Sequence, residues 1–151
     1  MARCKVLGRV VYYTLDMNIL ILYATNSGST YEAAKVVRDT LNRHGHSAGI
    51  KSVTNAGAED IEEHDAIVFG SCTWQWKNHE GKTIDGQLPQ HFHDFQKRIK
   101  GISFQGKRIA VYGLGDSSYA DYCAAADHLA LFVKDNGGEL VHLRVIAGAL
   151  Q

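Results

Sequence analysis

Segments with the character of β-strands and of amphipathic helices alternate along this chain. Apolar residues recur at three- and four-residue spacing over about 30–44 and 120–136, and again after Pro89. A short acidic helix is expected over about 58–63. The remaining segments predict five strands, at about 18–24, 46–53, 66–69, 108–112 and 139–146. The second strand is the most polar of the five, so we expect it at an edge of the sheet.

Strands that alternate with helices predict right-handed βαβ units, and therefore an α/β fold with a doubly wound parallel sheet. In such sheets ligands bind beyond the carboxyl ends of the strands, where the strand order reverses. Three loops follow predicted strands at that edge, residues 25–30, 71–87 and 113–119. Because the second loop is too long for a simple connection, we expect it to be functional. The sequence thus predicts one ligand site built from three loops.

The first 16 residues precede this pattern, so we divide the chain into an N-terminal extension, 1–16, and a domain, 17–151. Val10, Val11 and Tyr12 within the extension have strand character. A frayed leader, an extra strand and a cover for exposed apolar surface are the alternatives for this extension.

Composition excludes several classes of protein. The 151 residues suit one domain, and the formal net charge of zero lacks the basic excess of nucleic-acid-binding proteins. No apolar run reaches the ~20 residues of a membrane span, and the N-terminus lacks the apolar core of a signal peptide. Cys4, Cys72 and Cys123 form no C-x-x-C pair, which indicates a reducing cytoplasm. The eight histidines lack a metal-binding spacing, so we expect no metal site.

The loop at 25–30 has the features of an anion site. It follows the first strand and opens the first helix, so free backbone N–H groups and the helix dipole favour negative charge there. Hydroxyls of Thr25, Ser27, Ser29 and Thr30 add donors, whereas the loop contains no Lys or Arg. This favours a monophosphate held by neutral donors and argues against a Walker-type site, which ends in Gly-Lys-Ser/Thr. A polar turn without a ligand is the alternative.

Aromatic side chains in the other two loops fit a planar ligand. Trp74 and Trp76 follow a strand in the second loop, and Tyr119 lies in the third. Two rings from different loops can enclose a heterocycle, with offset stacking worth roughly 0.5–1.5 kcal/mol per pair. Core packing is the alternative, but the polar neighbours of the two tryptophans favour a loop that faces solvent.

Three segments resemble the FMN-binding segments of the flavodoxins. They are Tyr-Ala-Thr-Asn-Ser-Gly-Ser-Thr at 23–30, Gly-Ser-Cys-Thr-Trp at 70–74 and Gly-Leu-Gly-Asp-Ser-Ser-Tyr-x-x-Tyr-Cys at 113–123. The resemblance runs from about Asn18 to Gly148, and the spacing is similar to that of the short-chain flavodoxins. It implies a five-stranded sheet in the order 2-1-3-4-5, noncovalently bound FMN and electron transfer.

The resemblance also implies roles for individual residues. Residues 25–30 would hold the phosphate, and residues 72–73 would lie near the ribityl chain. Trp74 would stack on the inner flavin face and Tyr119 on the outer face, while the backbone of 114–116 would meet the pyrimidine edge. The complete set of implied cofactor-binding residues is Thr25, Asn26, Ser27, Gly28, Ser29, Thr30, Cys72, Thr73, Trp74, Gln75, Trp76, Leu114, Gly115, Asp116, Tyr119, Tyr122 and Cys123.

The chain departs from the family pattern in three respects. Many flavodoxins have Gly-Asp where this chain has Gln75 and Trp76, and a non-glycine residue at positive φ costs on the order of 1 kcal/mol. The chain is neutral whereas flavodoxins are usually acidic, so cations such as Lys77 and Lys82 are expected to alter partner choice. The final helix is missing, and residues 1–16, a second copy or another protein is expected to cover the exposed face.

These features favour a low-potential one-electron carrier that moves electrons between a reductase and acceptor redox enzymes. An FMN-dependent quinone or flavin reductase is one alternative, and an accessory module that docks on a partner through its shortened end is another. We assign no catalytic residue, because Asp116 lacks a partnered base and packing is a better account of Cys72 than redox chemistry. We expect redox protein partners, no nucleic acid and no membrane.

Overall fold

A computed structural model describes the backbone of residues 2–6 and 9–13 and the side chains and backbone of residues 16–115 and 123–141. The strands are Ala2–Val6 (β1), Arg9–Tyr13 (β2), Asn18–Ala24 (β3), Ser47–Ser52 (β4), Ala66–Cys72 (β5), Trp74–Lys77 (β6), Thr83–Gln87 (β7), Arg108–Leu114 (β8) and Glu139–Leu140 (β9). The helices are Ser29–Arg43 (α1), Ala58–Glu62 (α2), Gln90–Arg98 (α3) and Ala124–Asp135 (α4).

Five parallel strands form the central sheet in the order β4-β3-β5-β8-β9. Counted among themselves these strands run 2-1-3-4-5, which confirms the predicted architecture. The polar strand β4 lies at an edge, as predicted, whereas the first six residues of the central strand β5 are all buried. The carboxyl ends of β3, β5 and β8 therefore lie side by side, and each of the three predicted loops begins there.

A cluster of phenylalanines packs α3 and α4 against one face of the sheet. Phe69 of β5 lies at its centre, with ring centroids 5.6 to 6.2 Å from those of Phe92, Phe95, Phe104 and Phe132. Tilted and edge-to-face arrangements of this kind are the favoured geometries of aromatic pairs. Because Phe92 and Phe95 belong to α3, the cluster holds that helix firmly beside the loop that precedes it.

The opposite face of the sheet packs against α1. Val68, Ala110 and Tyr112 lie on this face in β5 and β8, and they are only 4%, 4% and 7% exposed within a single chain. These three residues are therefore buried within a single chain. That residues 1–16, a second copy or another protein covers the face left by a final helix stays a prediction, and positions 142–151 lie outside the described residues.

The expectation of an irregular loop over 71–87 is wrong in detail. Strand β5 continues to Cys72, and an antiparallel hairpin of β6 and β7 follows it. Asn78 Oδ1 shapes the turn by accepting hydrogen bonds from the N–H groups of Glu80 and Lys82, at 3.0 and 2.9 Å. Gly81 supplies a positive φ of 76°. The prediction of a loop did not take these hydrogen bonds to the Asn78 side chain into account. They close the turn and so allow β6 and β7 to pair.

The N-terminal extension contains a second hairpin. Strands β1 and β2 pair antiparallel, with Cys4 opposite Val11 and Val6 opposite Arg9. The strand character of the sequence therefore corresponds to real β-structure in this segment.

The helix α4 packs through one face. Ala125, Leu129 and Val133 are fully buried, whereas Ala126 is half-buried. Among the described residues, no helix combines the length and apolar character required to cross a membrane.

An ion pair holds α2 against strand β4. The carboxylate of Asp60 accepts hydrogen bonds from Lys51 Nζ at 2.8 and 3.0 Å and from the Gly57 N–H at 2.9 Å. Burial of Asp60 opposes its ionisation, but the Lys51 ammonium and the Gly57 N–H outweigh burial and hold the pKa of this carboxyl below its usual value. The pair therefore stabilises the folded chain at neutral pH.

Candidate functional site

The first loop joins β3 to α1 and carries several hydrogen-bond donors. Gly28 has a φ of +94°, which a side chain would strain, and its N–H donates to Thr25 Oγ1 at 2.9 Å. The N–H groups of Ser27, Ser29 and Thr30 donate to no acceptor among the described residues. Free N–H groups at the N-terminus of a helix of 15 residues have the geometry of an anion site.

Thr30, at the start of α1, is fully buried. Its Oγ1 has no hydrogen-bond partner in the described part of the chain, although its backbone carbonyl accepts the Tyr112 hydroxyl at 3.1 Å. Burial raises the pKa of Tyr112, so its hydroxyl remains a donor. An unpaired buried hydroxyl costs about 1–3 kcal/mol. An anionic oxygen bound by the first loop is a partner that would satisfy the Thr30 hydroxyl.

Cys72 brings the second loop to the first. Its half-buried thiol neighbours the Asn26 N–H and the Thr30 hydroxyl, without completing a hydrogen bond to that hydroxyl. Burial raises the pKa of Cys72, so the thiol is protonated at neutral pH and is a poor nucleophile. This agrees with a packing role rather than a redox role.

Thr73 ties the second loop to the third. Its N–H donates to the Leu114 carbonyl at 2.7 Å, and its Oγ1 accepts the Ala125 N–H at 3.1 Å. A Cβ on Gly115 would lie only 2.7 Å from the nitrogen of Cys123, so glycine permits this close approach of loop and helix. Cys123 itself adopts a positive φ of 55° at the start of α4. The three loops therefore converge, as predicted from their positions after neighbouring strands.

The two tryptophans of the second loop have different surroundings. Trp74 is 47% exposed and Gln75 is exposed beside it, so part of Trp74 is available to a ligand. The ring of Trp76 stacks on His93 of α3, with centroids 4.7 Å apart and planes 23° from parallel. One face of Trp76 is therefore already occupied by the protein. Neither Gln75 nor Trp76 has a positive φ.

The structure thus brings together most of the residues that the sequence implied, from residues 25–30, 72–75, 114–115 and Cys123. Asp116, Tyr119 and Tyr122 lie outside the described residues. Their contacts with a flavin remain predictions.

Two residues near the site were not predicted from the sequence. Tyr112 carries the hydroxyl that fixes the Thr30 carbonyl, and His93 holds Trp76. A signal for Tyr112 existed in the sequence, since Gly70 interrupts an apolar strand. The two residues are opposite each other in the sheet, and a Cβ on Gly70 would lie 2.1 Å from the Tyr112 ring. No pattern in the sequence relates His93 to Trp76.

FMN fits the residues that converge at this edge of the sheet. The first loop offers neutral donors and the unpaired Thr30 hydroxyl to the phosphate, and Trp74 offers an exposed aromatic face to the ring system. Gly115 lets the third loop pack closely against the start of α4, beside Thr73. The donor set contains no cation at the phosphate position.

Comparison with known proteins agrees with this fit. The family model of the flavodoxins matches residues 21–149. Probable flavodoxin 2 of Bacillus subtilis is 33% identical over 129 residues, covering 82% of this chain and 76% of the relative. The flavodoxin of Maridesulfovibrio salexigens is 28% identical over 109 residues, covering 72% of this chain and 70% of its own. The crystal structure of oxidised flavodoxin 2 from Bacillus cereus is similar with a TM-score of 0.73 and 32% identity, covering 83% of this chain and 80% of that one. The chain therefore belongs to the flavodoxin family, whose members bind FMN and carry electrons.

Proposed function

We propose that this chain binds FMN at the carboxyl edge of its sheet and transfers single electrons at low potential between a reductase and acceptor redox enzymes. The observation that carries the proposal is the fully buried Thr30 hydroxyl, which has no hydrogen-bond partner among the described residues, in a loop where three N–H groups also lack a described acceptor. Such an arrangement is costly without a ligand, and it is satisfied by a phosphate oxygen. In this proposal residues 25–30 hold the phosphate and Trp74 lies against the isoalloxazine.

Bound FMN supplies the redox chemistry, and the protein supplies binding, orientation and electrostatics. Neutral donors in the first loop hold the phosphate without adding positive charge near the flavin. Thr73 holds the second loop to Leu114 and to Ala125 at the start of α4, so this connection exists before the cofactor arrives. Ordering these segments in advance reduces the entropy lost on binding.

The proposal is tested by the cofactor itself. The protein is purified without added flavin, its visible spectrum is recorded, and acid-released flavin is identified by chromatography. We expect FMN in a ratio near one per chain, and apoprotein that quenches the fluorescence of added FMN on rebinding. A protein that contains no flavin and does not quench FMN fluorescence would refute the proposal.

The same preparation distinguishes a carrier from an enzyme. A carrier oxidises no NAD(P)H by itself, whereas a quinone or flavin reductase does so in the presence of its acceptor. Steady oxidation of NAD(P)H by the purified protein would therefore refute the carrier and favour a quinone or flavin reductase.

We further propose that the carrier works in the reducing cytoplasm, in keeping with the free cysteines Cys72 and Cys123. We also propose that residues 17–151 form the FMN-binding domain, because the three loops lie within this range.

A further inference from the structure

A cleft of about 550 Å³ lies between the β6–β7 hairpin and α3. Its chemically distinctive lining residues are Trp76, Lys77, His79, His93, Lys97 and Lys100, and three side-chain amides complete the lining. None of the loop residues 25–30 lines this cleft. It begins at Trp76, two residues after the exposed Trp74, which corresponds to about 7 Å along a strand.

The cleft is strongly cationic although the chain as a whole is neutral. None of its described lining residues is a carboxylate, and its three lysines give a local charge of +3 before any histidine is protonated. Within the described part of the chain, Lys77 and Lys100 have no ion-pair partner, and Lys97 reaches Asp94 only at 4.0 Å. Five carboxylates instead gather at residues 59–65, in and after α2.

The kind of cation indicates the kind of partner. Lys77, Lys97 and Lys100 are exposed, and lysine is a hydrated point charge on a flexible stem. Small-molecule sites depend on a few fixed, convergent polar groups, whereas mobile surface charges steer protein encounters and suppress partners of like charge. The unpaired ammonium groups therefore favour an extended anionic protein surface over a small anion.

We propose that this cationic cleft is the docking surface for a redox protein whose own surface is acidic around its redox centre. Carboxylates of that partner pair with Lys77, Lys97 and Lys100, and its redox centre then lies near the strand that carries Trp74. This inference rests on the proposed function, because it names the partner class of the same redox site. It also agrees with the neutral net charge of this chain, which differs from the acidic charge expected of a flavodoxin.

The test measures binding directly, so that it does not depend on electron transfer. An oxidised, strongly acidic [2Fe–2S] ferredoxin is the probe, and isothermal titration calorimetry at an ionic strength of about 0.02 M records its affinity for the FMN-loaded chain. The Lys77→Gln, Lys100→Gln double variant is expected to bind the ferredoxin about fivefold more weakly. The matched control, Lys134→Gln, removes an exposed charge on α4 outside the cleft and is expected to bind as the unchanged chain does.

Several outcomes would overturn the docking surface. One is an equal loss of ferredoxin affinity in the double variant and in the Lys134→Gln control. Another is a folded chain that does not bind ferredoxin, and a third is tighter binding of basic cytochrome c than of ferredoxin. Micromolar binding of ADP or inorganic phosphate that Lys77→Gln, Lys100→Gln abolishes would also overturn it, in favour of a small-anion site. The same titration on the apoprotein separates the two proposals. Ferredoxin binding without FMN supports the surface even if the FMN proposal fails.

Discussion

Replacing Thr30 by valine tests the candidate phosphate site most directly, because two opposite effects are expected from one change. Thr30 is 0% exposed, and its Oγ1 has no hydrogen-bond partner among the described residues. Valine is similar in shape and lacks the hydroxyl. Removing an unsatisfied buried hydroxyl is expected to raise the free energy of unfolding of the apoprotein by about 1–3 kcal/mol.

The same substitution is expected to weaken FMN binding. The Thr30 hydroxyl would donate to a charged phosphate oxygen, and hydrogen bonds to charged groups contribute about 1.5–3 kcal/mol. Thr30→Val should therefore raise the Kd for FMN roughly 10- to 100-fold, since 1.4 kcal/mol corresponds to a factor of ten. Riboflavin, which lacks the phosphate, should bind the variant and the unchanged chain alike.

Two measurements check this pair of effects. Urea denaturation of the apoproteins gives the change in stability, and quenching of flavin fluorescence gives the two affinities. Thr40→Val on the same helix is the control, because the Thr40 hydroxyl already donates to the Val36 carbonyl at 2.8 Å and lies outside the loop. An apoprotein destabilised by Thr30→Val, or an unchanged Kd for FMN, would refute the assignment of the hydroxyl to the phosphate.

Three further predictions concern the backbone and the charges around the site. Gln75→Gly is expected to widen the gap between the two one-electron midpoint potentials of bound flavin by about 40 mV, because glycine adopts a positive φ at about 1 kcal/mol lower cost. A spectroelectrochemical titration in which this gap is unchanged would contradict the prediction. Gly115→Ala is expected to weaken FMN binding at least tenfold, because the new Cβ would lie 2.7 Å from the backbone nitrogen of Cys123. In the control Gly49→Ala the new Cβ has nothing within 4 Å, so the FMN affinity from fluorescence titration should be unchanged. Asp60→Asn removes the charge that pairs with Lys51 and is expected to lower stability by up to about 1 kcal/mol at pH 7. The pKa of Asp60 is lowered in the folded chain, so the stability difference should be complete above the ordinary pKa of 3.8 and should disappear as the pH falls through the lowered folded-state pKa. Urea titrations over pH 2–7 measure this difference. A difference that persists at low pH would exclude the ion pair as its cause.

The sequence by itself determined the order and type of the sheet strands and helices, because each depends on short-range apolar spacing. It also located the loop that is proposed to bind an anion, since the donors at residues 25–30 belong to one strand-to-helix turn and need no distant partner. The convergence of the three loops followed from one further rule, that neighbouring parallel strands have their carboxyl ends at the same edge.

Tertiary structure decided how each side chain in those loops is used. Trp74 and Trp76 are alike in the sequence, but only the second has a histidine from α3 stacked on it. Thr30 is one hydroxyl among several in its loop, and it became the decisive one because packing buried it without a partner. The cationic cleft likewise combines lysines from the hairpin and from α3, which lie some twenty residues apart in the chain. Burial, stacking and local charge depend on distant segments meeting in space, so they arise only when the chain has folded.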